Sequence, residues 1–105
     1  MMISDPLQKK LLHALLEAAR ESEKYIPKPT RFYGMLGDEL PSAVATKLIT
    51  DEKFSDGFTN LLMASQLRLS VEAVVLENEE FYALFDPSVI DAARKKLIRS
   101  HYIKQ

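Results

Sequence analysis

Five prolines, at positions 6, 27, 29, 41 and 87, set where helices can start and stop in this chain of 105 residues. Proline lacks an amide proton and has a fixed φ, so it opens a helix or ends one and is disfavoured inside. Two of the five follow an aspartate, as Asp5-Pro6 and Asp86-Pro87. The carboxylate can accept hydrogen bonds from first-turn amides, and proline takes a position whose amide would go unused. Both pairs predict helix starts, and Gln8 completes a capping-box pattern with Asp5.

Leu7, Leu11, Leu12, Leu15, Leu16 and Ala19 recur at helical spacing, opposite Lys9, Lys10, Glu17, Arg20, Glu21 and Lys24. This periodicity predicts the longest helix, running to about Tyr25 and stopped by Pro27 and Pro29. Thr30 is placed to cap a short helix carrying Phe32, Tyr33, Met35 and Leu36, with Gly37 as its stop. Pro41 opens a third, with Val44, Ala45, Leu48 and Ile49 on one face. Thr50 to Gly57 reads as a polar loop, and Ser55 or Asp56 caps a fourth helix containing Phe58, Leu61 and Leu62.

Ser70 precedes the apolar run Val71 to Leu76, whose length and β-branching also suit a buried strand. It reads as helix because Glu72 stands apart from Val71, Val74 and Val75 and helical patterns flank it. Asn78 to Phe85 adds a turn or two with Phe81, Leu84 and Phe85 inward, and the last helix carries Ile90, Ala93 and Leu97 and ends near Arg99 or His101. The expected fold is all-α, one compact domain over residues 1–105 with five or six short helices and a candidate hinge at 27–29.

Apolar residues make up 47% of the chain and charged residues 28%, too apolar a mix for disorder. The absence of cysteine excludes disulfides and thiolate metal sites. No apolar run approaches the roughly 18 residues of a membrane span, and no signal-peptide pattern precedes the first helix, so a cytoplasmic protein with no membrane partner is expected. The net charge of −1 lacks the basic excess of a nucleic-acid binder. It hides an asymmetry: residues 1–37 balance to +2, residues 38–91 to −8 and residues 92–105 to +5.

From about Phe32 onward the chain resembles a group of small uncharacterised bacterial proteins. The residues that carry the likeness are Ser55-Asp56-Gly57-Phe58, the stretch Leu69 to Leu76, then Phe81, Leu84, Phe85, Ala93 and Leu97. Gln66 and Arg68 stand where that group carries arginine and aspartate. The resemblance implies a stand-alone helical domain and brings no activity with it.

Candidate chemistry is sparse. His13, Glu17 and Glu21 share a helix face, but the zinc-protease pattern around such a pair is missing, so a solvated His–Glu pair is expected. Asp51, Glu52 and Asp56 lack the alternating ligands of a calcium loop and suit caps and turns. Glu72 would need a partner if buried, and Arg68, four residues earlier, is the nearest by sequence. No glycine-rich phosphate loop, nucleophile elbow or cysteine nucleophile is present.

These features point to a non-enzymatic protein-protein interaction module without metal or cofactor, able to self-associate. Its contacts are expected at Leu12, Leu16, Tyr25, Tyr33 and Phe54, on the leucine stripe and among the aromatics that would form a protein-binding patch if clustered on the surface. The alternative is a nucleic-acid-binding accessory protein, with Arg94, Lys95, Lys96 and Arg99 on phosphates and Tyr102 on a base. A third reading is a small enzyme using His13 with Glu17 or Glu21.

Overall fold

A computed structural model describes residues 4–104. Six α-helices follow one another: α1 (Pro6–Ser22), α2 (Thr30–Asp38), α3 (Pro41–Thr50), α4 (Asp56–Met63), α5 (Val71–Leu76) and α6 (Pro87–Arg99). Single 3-10 segments, Leu67–Leu69 and Glu79–Leu84, flank α5, and no strand occurs among the described residues. The expected all-α domain is what forms, with α1 the longest helix.

Both aspartate–proline starts are used. Asp5 Oδ1 accepts from the amides of Leu7 (2.8 Å) and Gln8 (3.2 Å), and Asp86 Oδ1 from that of Ser88 (2.9 Å). The capping box at α1 does not close, because the Gln8 side chain is buried and bonds elsewhere. Its Nε2 donates to Ser42 Oγ (2.6 Å) and its Oε1 accepts from the Ser42 amide (3.1 Å). Leu40, at the head of α3, offers no capping side chain, so Gln8 supplies that cap from another helix.

Helix ends differ from expectation in three places. Thr30 lies inside α2 and caps nothing, the N-cap position being Pro29 without a side-chain hydrogen bond. α1 stops at Ser22 rather than Tyr25, because the amides of Glu23, Lys24 and Tyr25 switch to carbonyls three residues back. The tightened turn delivers Ile26 to the core, where it packs against the cluster around Phe58. Gly37 lies inside α2 and has no positive φ; that helix ends where Glu39 turns extended, followed by extended Leu40 before Pro41.

Two other ends use left-handed residues. Ser65 (φ 59°) and His101 (φ 64°) follow α4 and α6. In each case the next amide reaches back five residues, Gln66 to Leu61 and Tyr102 to Leu97, while Ser65 and His101 bond to Leu62 and Ile98. This is the Schellman arrangement.

The six-residue α5 is the hub, packed on α1, α3, α6 and both 3-10 segments. Its apolar run is helical because Ser70 Oγ accepts from the Ala73 amide (3.1 Å) while donating to Leu67 O (2.7 Å). The helix is surrounded: Val74 and Val75 join a large cluster with Leu11, Leu15, Val44 and Ile49, and Ala73 joins a smaller one with Phe58, Leu61 and Leu97. Filling both sides at about 2 kcal/mol per buried aliphatic side chain outweighs the weak helix propensity of valine. The radius of gyration is 12.8 Å, that of a compact chain of this length.

Two contacts bracket the candidate hinge at 27–29. Ile26 is anchored as described, and Tyr33 Oη donates to Glu23 Oε2 (2.5 Å) across the proline segment. α1 is part of the core rather than a projecting arm, with Leu11 and Leu15 fully buried.

Candidate interaction site

Between α3 and α6 the surface opens into a groove of about 390 Å³. Ala92 and Ile98 of α6 contribute half-buried apolar walls. Asp51 and Glu52, just past the C-terminus of α3, form an acidic lip, and Lys95 and Arg99 of α6 form a basic one. The spacing of the basic pair follows from helical geometry: residues four apart share a face.

Lys96 lies at the base of the groove, buried at 3% exposure. Its Nζ donates to Glu72 Oε2 (3.0 Å) and to Leu48 O (2.6 Å), and it stands 5.9 Å from the centroid of the Phe58 ring. Two expectations are corrected here. Lys96 is not a surface cation available to a phosphate, because it lies on the α6 face that carries Val89, Ala93 and Leu97 into the core. The partner of Glu72 is not Arg68, which is exposed, but this lysine twenty-four residues away. At this pair the acidic middle of the chain meets its basic end inside one molecule.

Two of the other basic residues of α6 are engaged separately. Lys95 pairs with Asp91 in solvent (3.0 Å). The Arg99 guanidinium sits 5.2 Å from the centroid of Phe54, which in turn packs against Phe58 with centroids 4.5 Å apart. Among the described residues Arg99, Asp51, Glu52 and Arg94 form no ion pair. The groove therefore gathers Lys95, Lys96 and Arg99, with Phe54 beside it beneath Arg99, out of the residues expected to make contacts.

The remaining expected contacts do not join them. Leu12 and Leu16 are half-buried against the large core cluster. Tyr25 is exposed at 44% beyond α1. Tyr33 is held by Glu23, and burial together with that hydrogen bond pushes its hydroxyl up to about 12. Tyr102 is likewise raised, by burial and by the neighbouring Glu77 carboxylate to which it donates (3.1 Å).

A second, wider groove of about 700 Å³ runs between α1 and α5, walled by Ala14, Ala18, Leu69 and Val74. Of its rim charges, Glu21 pairs with Lys24 (3.1 Å) and Glu17 lies 2.9 Å from His13 Nε2, while Arg20 forms no ion pair among the described residues. His13 and Glu17 are both well exposed and His13 lines neither groove, so the expected solvated pair is what forms. Among the described residues no group of three His, Asp or Glu side chains is arranged to hold a metal ion, and no helix is long and apolar enough to cross a membrane. Asp51 serves as a turn residue, accepting from the Lys53 amide (3.0 Å), and Ser55 caps α4.

The sequence signal for the buried pair was present in the pattern. Glu72 interrupts an apolar run, and Lys96 falls three residues after Ala93 on an apolar stripe. A charge set in a stripe bound for the core needs a buried partner of opposite sign, and the pattern shows that need without naming the partner. The chain matches no protein-family model, and no match was found among curated proteins or solved structures.

Proposed function

We propose that the chain is a non-enzymatic protein-binding module of the bacterial cytoplasm that engages its partner through the α3–α6 groove. The observation that carries this reading is the pairing of apolar walls with two lips of opposite charge whose outer members, Glu52 and Arg99, have no ion-pair partner among the described residues. Arg99 is already oriented by the Phe54 ring, so its ordering on binding costs less than that of a free side chain. Apolar contact supplies attraction at such a site, and the charges select the partner and its orientation.

The nucleic-acid alternative is weaker on the same ground. With Lys96 buried, Lys95 on Asp91 and the acidic lip alongside, the basic residues of α6 form no continuous cationic face. A photo-crosslinking residue at Ala92, in the groove wall, tests the reading against one at His13, outside it. Protein adducts at Ala92 alone support the groove as the binding face. Adducts to nucleic acid at Ala92, or no adduct there, overturn it.

A further inference from the structure

We propose that the occupant of the α3–α6 groove is a second copy of this chain, related by a two-fold axis that sets Glu52 of each copy against Arg99 of the other. The proposal rests on reading the groove as a protein-binding site, and names its partner. A two-fold operation lays a surface patch on itself, so every contact occurs twice. A patch of one sign repels its own copy. Here one lip carries Asp51 and Glu52 and the other Lys95 and Arg99, so a two-fold rotation that brings each acidic lip onto the partner's basic lip matches charge on both sides at once. Within a single chain Glu52 and Arg99 form no ion pair, although they flank the same groove. The net charge of −1 leaves almost no overall repulsion between copies. Unrelated partners would have to carry both signs in matching order, an arrangement that a second copy supplies by symmetry.

Sedimentation of the full chain at low and high salt, with charge-reversed variants, provides the test. The wild type is expected to dimerise in a concentration-dependent way, more weakly as salt rises. Glu52→Lys alone and Arg99→Glu alone each place like charges opposite one another twice, and each is expected to weaken the dimer about tenfold or more. The two single variants mixed in equal amounts restore both contacts and should form a heterodimer of near wild-type affinity. Both positions are exposed, and recovery in the mixture would also establish that each variant is folded.

A wild type that stays monomeric, or single variants that fail to recover when mixed, overturns the self-association. Those results with adducts to a different protein at Ala92 would remove only the identity of the partner. Those results with no protein adduct at Ala92 would remove the protein-binding reading as well.

Discussion

Lys96 and Glu72 form an ion pair sealed in the core, Nζ to Oε2 at 3.0 Å with the two side chains 4% and 5% exposed. The pair ties α6 to α5, and the second bond of Lys96, to Leu48 O, ties both to α3. Removing one partner leaves a charge without compensation in a region of low dielectric. Lys96→Met or Glu72→Met is expected to cost about 3–5 kcal/mol, and the double substitution much less than the sum. The double variant still leaves Leu48 O without its donor, at about 1–3 kcal/mol. Urea unfolding of the four proteins measures the coupling, and simple additivity would contradict it.

The Ser70 hydroxyl both accepts from Ala73 and donates to Leu67, in a buried position that joins a 3-10 turn to α5. Ser70→Ala removes the N-cap of a helix only six residues long. A loss of about 1–2 kcal/mol is expected in thermal or denaturant unfolding. Accelerated hydrogen exchange at Ala73 should accompany it.

His101 and Ser65 adopt left-handed backbone without being glycine. Such a conformation costs a residue with a Cβ about 1–2 kcal/mol, partly offset by the greater freedom glycine has when unfolded. His101→Gly and Ser65→Gly are each expected to raise stability by up to about 1 kcal/mol, whereas His101→Val lowers it. Denaturation midpoints decide the sign.

Tyr33 and Asp86 act at opposite ends of the pH scale. The Tyr33 hydroxyl is raised from 10.0 to about 12, by burial and by Glu23. Its contribution to stability is therefore complete below the unfolded value and falls away as pH rises through the folded one. The Asp86 carboxyl is lowered from 3.8 by hydrogen bonds from the Ser88 amide and hydroxyl, so its contribution is present above the unfolded value and disappears as pH falls through the folded one. Tyr33→Phe should flatten the alkaline limb of the stability profile and Asp86→Asn the acid limb. Ring-proton NMR of Tyr33 should give a midpoint near 12 that moves down in Glu23→Gln.

Most of the fold was legible because the local signals are strong. Asp5, Ser55, Ser70 and Asp86 each accept from amides at the helix start their chemistry implied. The apolar stripes of α1 and α6 each face the core. What escaped depends on pairing across the chain. Nothing near Lys96 in sequence reveals that it meets Glu72, and a run of basic residues at the chain's end reads as a solvated face unless each position is tested against the apolar stripe. The groove was legible only in part. Arg99 and Lys95 stand out in the sequence as basic residues and Phe54 as an aromatic candidate for the surface, but their meeting with Asp51 and Glu52 depends on how α3 lies on α6. The leucine stripe of α1 is wide because it meets the core along its breadth, with Leu11 and Leu15 buried and Leu12 and Leu16 half-buried against the same cluster.

Gln8 holds the amide of Ser42 and the Ser42 hydroxyl from thirty-four residues away. The first turn of α3 is thus defined by a residue of α1, and no stretch of chain beginning after Pro29 contains all the instructions for its own helices. A one-residue slip of α1 would carry Gln8 out of reach and withdraw the cap, making the start of α3 a gauge of whether α1 has docked in its proper register.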